Sequence, residues 1–365
     1  QTEMPDFWLP GGSVWLEQRT GHAVEVQFDG SFTEGWNDGY HTVSYNDCNT
    51  VVAMPYDLMV AGKDGKAINV LRLWSAEAKH IDMEAFNQGD YVRALERQAM
   101  SEVISKVLYP EDNHFEGKSL RLRQQYFLVS ASIQDILHRH LRQYNTLENL
   151  GDKVAIHIND THPALCIPEL MRILIDDYFF SWEHAWDIVV KTVSYTNHTV
   201  MPEALETWNE DIFKFKLPRL YAIVKEINER FCKDAWKSFP GNWNRISKMS
   251  IVSYGQVRMA NLCAVGCHSI NGVSKLHSDI LKESTFKDFY KMYPDRFDNV
   301  TNGIAHRRWL CYSNPKLASL LDDCIGYACE RKGVQYACFF YAYGEERTTQ
   351  LDGDYKNKYY TYKLW

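Results

Sequence analysis

The spacing of apolar and polar residues changes along this chain, and each change predicts a different kind of element. Within 22–60 the two kinds alternate, as in Val-Glu-Val-Gln-Phe at 24–28. This period of two is typical of antiparallel strands with one buried face. The pattern predicts further strands at 50–54, which a Pro-Tyr-Asp turn at 55–57 would end, and at 68–74.

Two longer stretches follow a helical period. Residues 91–108 place apolar side chains such as Val92 and Leu95 on one side. A Tyr-Pro-Glu-Asp-Asn sequence at 109–113 then breaks the pattern, because proline and short polar residues favour a turn. A second helix is predicted over about 120–142.

In the second half of the chain, predicted strands and helices follow one another in turn. A strand at 154–158 precedes a helix near 164–176, and a strand at 188–194 precedes a helix that starts at Pro202. A long helix follows around 217–232. Such alternation predicts a parallel sheet with helices on both faces.

Three of the predicted strands stop at loops of amides, imidazoles and small hydroxyls. The loops read Asn-Asp-Thr-His-Pro at 159–163, Tyr-Thr-Asn-His-Thr-Val at 195–200 and, after a short strand at 299–301, Asn-Gly from Asn302. In open α/β sheets ligands bind outside the carboxyl ends of the strands. Donor-rich, weakly charged loops suit a polyhydroxyl ligand better than a metal or a nucleic acid, so the residues predict an α/β domain that binds a sugar.

Composition narrows the class of protein. The 365 residues correspond to one large or two ordinary domains, and the net charge of −7 without a basic run excludes a nucleic-acid partner. No apolar stretch approaches the roughly 18 residues of a membrane span. The nine cysteines form no Cys-x-x-Cys pair, so we expect reduced thiols in a cytoplasmic protein rather than disulfides or zinc.

The polar residues of the first two loops each have two interpretations. Asp160 and His162 could orient a ligand hydroxyl or a neighbouring imidazole; alternatively, Asp160 or Thr161 could cap the following helix. His198 could bond a sugar hydroxyl and carry protons, or it could hold the turn. His157 and His162 lack a third ligand nearby, so no metal site is expected.

Two further segments are equally open. The sequence Asp-Asn-His at 112–114 follows a helix and a proline, and it is either a mobile gate over the site or an ordinary turn. Arg307, Arg308 and Trp309 could bind phosphate and stack on a planar cofactor, or they could be two surface arginines and a core tryptophan. Without a Gly-x-Gly-x-x-Gly, Walker or Gly-x-Ser-x-Gly motif, dinucleotide, nucleotide and hydrolase sites lose their main support.

Taken in order, these segments resemble one family, the α-glucan (glycogen, starch and maltodextrin) phosphorylases. The resemblance runs from about residue 1 to about residue 321 without a break in order. The matching segments are 51–57, 71–76, 108–118, 159–163, 195–206, 299–304 and 307–310.

The resemblance implies an α/β fold, the Rossmann-like half of a GT-B glycosyltransferase with an antiparallel β-rich portion near the N-terminus. It implies reversible phosphorolysis of terminal α-1,4-linked glucose to glucose 1-phosphate. It also implies pyridoxal 5'-phosphate, whose phosphate group works with inorganic phosphate in proton transfer. The protein would supply positioning and electrostatic stabilisation.

The resemblance assigns roles to residues by position. Asn113 resembles the gate-loop residue that contacts the glucose, with Asp112 beside it. His198 and Asn302 resemble the hydrogen-bonding partners of the glucose hydroxyls in the catalytic subsite. Asp160 resembles a carboxylate that supports His198, which makes this pair the candidate catalytic residues.

The remaining assignments concern the cofactor and the partners. Trp309 resembles an aromatic residue that lies against the cofactor, and the helix that ends near Leu108 resembles the helix that pairs subunits in family dimers. The implied partners are an α-1,4-glucan, phosphate and a second subunit.

The chain departs from the family pattern in ways that bear on activity. The glycine-rich loop that faces the cofactor phosphate and the C-terminal domain with the cofactor lysine are not in it, and His114 stands where an aromatic residue is common. We therefore expect a partial N-terminal domain over 1–321, inactive alone, and an atypical, poorly ordered tail over 322–365. The alternatives are a non-catalytic glucan-binding module and a nucleotide-sugar glucan synthase of the same fold class.

Overall fold

A computed structural model of the protein describes residues 15–37, 40–61, 65–79, 83–303, 306–332 and 360–364. The strands are β1 (Leu16–Gln18), β2 (Val24–Phe28), β3 (Ser31–Asn37), β4 (Tyr40–Asn46), β5 (Asn49–Ala61), β6 (Ile68–Ala78), β7 (Val154–Asn159), β8 (Val193–Thr196), β9 (Thr207–Asn209), β10 (Val252–Ser253), β11 (Gln256–Arg258), β12 (Ser269–Gly272), β13 (Phe297–Asn299) and β14 (Tyr360–Leu364). The helices are α1 (Met83–Asn87), α2 (Tyr91–Lys106), α3 (Phe115–Tyr144), α4 (Leu150–Lys153), α5 (Cys166–Arg172), α6 (Trp182–Thr192), α7 (Glu210–Lys216), α8 (Pro218–Ser238), α9 (Trp243–Met249), α10 (Met259–Gly266), α11 (Lys275–Ile280), α12 (Lys287–Met292), α13 (His306–Ser313) and α14 (Pro315–Lys332).

An antiparallel sheet forms from the alternating sequence near the N-terminus. The long strand β5 pairs with β6 along its length, and its other edge pairs with β2 and β1. The inward carboxylate of Asp57 accepts hydrogen bonds from Arg72 at 2.7 Å and from Arg19 at 3.2 Å. These guanidinium groups, Arg72 first, hold the pKa of Asp57 below its usual value. The predicted antiparallel strands are confirmed.

The predicted turn at 55–57 is wrong, because β5 continues through Pro55. The Pro55 carbonyl accepts a hydrogen bond from the backbone of Arg19, so the proline nitrogen faces the same edge. On that edge pairing with β2 reaches only Ala53, and pairing with β1 begins at Tyr56. Proline has no N–H to donate, but at this position β5 passes from one partner strand to the other. No pairing hydrogen bond is therefore lost, and proline is tolerated.

The second half of the chain forms the predicted parallel sheet. Its strand order is β13-β12-β8-β7-β14, and each neighbouring pair is parallel. Inward residues such as Ile156, Tyr195 and Ile270 are almost fully buried and join the main core. The sheet with its helices and the separate antiparallel sheet together make a mixed α/β fold.

Two predicted elements of this half need correction. The strand expected at 188–194 starts only at Val193, because Ile188 and its neighbours complete α6. The helix begins where the Ser181 side chain accepts a hydrogen bond from the His184 backbone, and its buried positions recur at helical spacing. After Pro202 a single 3-10 turn forms instead of a helix, and β9 follows it.

The last residues include one element that the sequence pattern did not predict. The backbone of β14 pairs with β7 in parallel register, with Tyr360 opposite Val154. Helix α14 runs across the domain boundary expected at residue 321. The expected poor order of the tail stays a prediction, since 333–359 lie outside the described residues.

Two further findings concern the surface and the thiols. Across the described ranges, no helix combines the length and the apolarity that a membrane span requires. Cys166, Cys263 and Cys267 are buried free thiols, whereas Cys311 and Cys324 are exposed. Burial raises the pKa of the Cys166 and Cys263 thiols, which keeps them protonated.

Candidate functional site

Four loops meet at the carboxyl edge of the parallel sheet, because the strands that lead into them run in the same direction. Backbone hydrogen bonds tie each loop to the next. The amide of Asp160 donates to the Thr196 carbonyl at 3.0 Å, and that of Asn197 donates to the Asn271 carbonyl at 2.9 Å. The amide of Asn302 donates to the Val273 carbonyl at 3.0 Å. The three polar loops predicted from the sequence therefore lie at one edge.

His198 projects from the loop after β8 and is exposed. Its Nε2 lies 2.7 Å from the side-chain oxygen of Asn159, the last residue of β7. With Nε2 donating to that oxygen, Nδ1 of the neutral ring is an acceptor. An exposed imidazole held at one nitrogen is well suited to bond a ligand hydroxyl at the other.

Asp160 adopts a left-handed backbone conformation with φ of 74°. Its carboxylate accepts hydrogen bonds from the Thr161 backbone at 2.5 Å and from the Thr161 hydroxyl at 3.2 Å. Since α5 begins only at Cys166, Asp160 stabilises its own turn rather than the helix. The partner found for His198 is Asn159, and support of His198 by Asp160 stays a prediction.

A polar network connects this edge to the 112–114 segment. The Glu206 carboxylate accepts hydrogen bonds from Gln125 at 2.9 Å and from the Thr161 hydroxyl at 3.3 Å. The guanidinium of Arg121 lies 3.8 Å from both Glu206 and Asp112. No role for Arg121 or Glu206 was predictable from the sequence pattern, because their contact joins distant parts of the chain and neither residue lies at a strand end.

The segment 111–114 folds back onto the start of α3. The Asn113 side chain donates to the Glu111 carboxylate at 2.7 Å, and Nδ1 of His114 accepts from the Gly117 amide at 3.0 Å. A Cβ atom on Gly117 would lie 1.8 Å from the Glu111 carbonyl oxygen. The close approach therefore requires glycine, and it presents Asn113 to solvent.

The third loop and the following helix carry the other assigned residues. Asn302 is exposed, and residues 304–305 lie outside the described ranges. Trp309 of α13 is 66% exposed, so the interpretation of Trp309 as a core tryptophan is wrong. Arg307 and Arg308 belong to α13, and their role in phosphate binding stays a prediction.

A second layer of side chains lies beneath the loops. His157 bonds the Thr196 hydroxyl with Nε2, and its Nδ1 lies 3.1 Å from the Ser194 hydroxyl. The Thr196 hydroxyl donates to the Asn271 side chain at 2.8 Å. Within the described part of the chain, no cluster of His, Cys, Asp and Glu could hold a metal ion.

Comparison with known proteins relates the chain to one protein family. A family model described as carbohydrate phosphorylase matches residues 1–336. The chain is 48% identical over 326 residues to a glycogen phosphorylase of Bacillus subtilis (strain 168) and 46% identical over 330 residues to that of Haemophilus influenzae. It is 45% identical over 338 residues to the brain form of glycogen phosphorylase of Homo sapiens. Each match covers 89% of this chain and 40% of the relative's length.

Proposed function

The chain belongs to the carbohydrate phosphorylase family, and from this membership we propose that it is part of a glycogen or α-1,4-glucan phosphorylase. The protein would transfer the terminal glucose of the glucan to inorganic phosphate. The bond between C1 and the glycosidic oxygen breaks, a phosphate oxygen bonds to C1, and the departing oxygen takes up a proton. The observation that carries the proposal is the meeting of the His198 and Asn302 loops at one sheet edge, in a chain of this family.

The described side chains would position the terminal glucose. His198, held by Asn159 through Nε2, would bond one sugar hydroxyl, and Asn302 would bond another. Asn113 would approach from the gate loop, with Asp112 and Arg121 linking that loop to the Glu206 network. A pocket lined by such fixed donors and acceptors stabilises charge that develops on the sugar during bond cleavage.

The cofactor of the complete enzyme would be pyridoxal 5'-phosphate, attached to a lysine outside this chain. When bound, its phosphate group would take part in proton transfer to and from inorganic phosphate. The exposed ring of Trp309 offers a flat surface for a planar cofactor, which fits this proposal. In a GT-B arrangement the parallel sheet described above would form one wall of the cleft.

We also propose that the complete protein is a homodimer and lies in the cytoplasm. Helix α2 exposes apolar side chains, with Val92 81% and Leu95 51% accessible to solvent. Contiguous exposed apolar surface of this kind marks interaction sites. It lies on the helix that resembles the pairing helix of family dimers.

Glucan binding tests the proposal on the chain itself. We expect retardation in native gels that contain glycogen, and a smaller retardation in His198→Ala, since one of several sugar contacts is lost. His268→Ala is the matched control, since His268 is also exposed but lies at the amino end of β12. Equal mobility with and without glycogen would argue against a glucan-binding site.

Turnover would be tested in a chain of the relatives' full length. We would replace the matching segment of the Bacillus subtilis glycogen phosphorylase by residues 1–321 and measure glucose 1-phosphate released from maltoheptaose and phosphate. Release by the chimera, with loss in its His198→Ala variant, is the expected result. A folded chimera that takes up the cofactor but releases no glucose 1-phosphate would leave only glucan binding.

A further inference from the structure

A buried histidine lies between the His198 loop and the Asn302 loop. His277 is in α11, the helix that follows β12, and only 9% of it is exposed. Its Nε2 lies 3.1 Å from the side-chain oxygen of Asn197, and its Nδ1 accepts from the Val273 amide at 3.4 Å. The two nitrogens therefore contact two different loops.

The contact with Asn197 fixes the turn that carries His198. Because Nδ1 of His277 accepts a hydrogen bond, the proton of the neutral ring is on Nε2, which donates to the Asn197 oxygen. That oxygen also accepts from the Thr199 amide at 3.0 Å, and the Asn197 nitrogen donates to the Tyr195 hydroxyl at 2.9 Å. The residues on both sides of His198 are thus held by one oriented, buried amide.

The contact with Val273, in the loop between β12 and α11, extends to the Asn302 loop through the Val273 backbone. The Val273 amide donates to His277, and its carbonyl accepts from the Asn302 amide at 3.0 Å. The next residue of α11, Ser278, donates to the Asn299 side chain at 3.0 Å. Helix α11 comes this close because residue 272 is glycine: a Cβ there would lie 2.9 Å from the Ser278 nitrogen.

We propose that His277 is a positioning residue, whose ring nitrogens hold the His198 loop through Asn197 and, through Val273, the Asn302 loop. An imidazole suits this role because it offers a donor and an acceptor on opposite sides of one rigid ring. The hydrogen bonds of His277 are seen in the structure, whereas its role in sugar binding rests on the function proposed above.

Two substitutions separate the two contacts. His277→Asn places an oxygen near the Nδ1 position, so it keeps the Val273 bond and loses Asn197. His277→Gln places an amide nitrogen near the Nε2 position, so it keeps Asn197 and loses Val273. His277→Ala loses both contacts. The matched control is His268→Ala, since His268 lies at the opposite end of β12 and its imidazole bonds the Val190 carbonyl.

Amide hydrogen exchange of the full chain reads out each loop separately. We expect roughly tenfold faster exchange at Thr199 in His277→Asn and at Asn302 in His277→Gln, as for the loss of about one hydrogen bond. Both sites should change in His277→Ala and neither in His268→Ala. Two results would overturn the proposal. One is exchange that becomes faster by the same factor across the whole domain in all three His277 variants, and the other is unchanged exchange at both Thr199 and Asn302.

Maltoheptaose titration, followed by the same amide resonances, tests the role in sugar binding. We expect each single-contact variant to bind several-fold more weakly, with His277→Ala weakest. Unchanged affinity in all three variants would overturn the positioning role even if exchange changes. If the unsubstituted chain binds no maltoheptaose, the proposed function fails, while the exchange pattern still decides whether His277 links the loops.

Discussion

The histidines at the carboxyl edge of the parallel sheet differ in what surrounds them. His157 and His277 are held at both ring nitrogens by protein groups, whereas His198 is exposed and bonded to Asn159 through Nε2. An imidazole with both nitrogens occupied serves structure. This difference supports the proposed ligand contact of His198 and a supporting role of His157 and His277.

The first prediction concerns the His198 side chain. In the chimera described above, His198→Ala should lower the rate constant of phosphorolysis by about 10²–10³-fold, as for a hydrogen bond that strengthens in the transition state. Binding of long glucans should weaken far less, since neighbouring subsites supply most of their affinity. His198→Asn serves as the conservative comparison, and steady-state kinetics on maltoheptaose provide the measurement. An unchanged rate constant in a folded variant would reduce His198 to a turn residue.

The second prediction concerns the protonation of His277. Burial lowers its pKa, with the positive charge of protonated His198 acting in the same direction and the Thr199 backbone opposing through a hydrogen bond. The folded pKa is below the unfolded value of 6.5, so the unfolded chain binds the proton first as the pH falls. The stability from the neutral ring is therefore complete above pH 6.5 and decreases below it.

The measurement is denaturant unfolding at several pH values between 7 and 5. The free energy of unfolding should fall more steeply over this range in the unsubstituted chain than in His277→Gln, which has no titrating group at this position. Parallel curves would contradict the depressed pKa of His277.

At the scale of single elements, the periodic segments were predictable and the exceptions have local causes. Alternation identified β2, and helical spacing identified α3 and α8, because each buries one regular face. Pro55 suggests a turn in the sequence, because the sequence does not show that one edge of β5 passes from β2 to β1 at this residue. Ile188 is β-branched and suggests a strand, but the cap at Ser181 and the buried face of α6 prevail.

The third prediction concerns the junction of the 111–114 segment with α3. Gly117→Ala should force the Glu111 carbonyl to move, at a cost of about 1–3 kcal/mol in unfolding free energy. The displaced loop should also weaken maltoheptaose binding, if Asn113 contacts the sugar. Gly21→Ala is the control, since a Cβ at Gly21 has no atom within 4 Å. Equal stability of the two variants would show that the loop adjusts freely.

At the scale of the whole molecule, the sequence predicted the sheet and the meeting of its loops but not the contacts that hold the site. Parallel strands bring their carboxyl ends together whatever the side chains are, so the edge follows from topology. The Asn159–His198 bond and the contacts of Arg121 join residues far apart in sequence. No periodicity encodes them, and only the resemblance assigned sugar contacts to Asn113 and Asn302.

The fourth prediction tests the apolar face of α2 as a subunit contact. Leu95→Asp should shift the chain from dimer to monomer in sedimentation velocity, because a carboxylate cannot be buried unpaired in an apolar interface. Tyr254→Asp is the control, since Tyr254 is 82% exposed on a different part of the surface. If both variants sediment like the unsubstituted chain, α2 does not join subunits.

The pairing of β14 with β7 bears on the order of folding. Strands β7, β8, β12 and β13 are made in one continuous stretch, whereas β14 is made much later, so during synthesis the free edge of β7 waits with its N–H and C=O groups unpaired. Such an edge can recruit a strand from another nascent chain. Bringing together two distant segments of a chain costs only logarithmically more entropy than bringing together two close ones. We therefore expect the delay, rather than the entropy, to be the hazard, because before β14 is made the edge of β7 can pair with another chain.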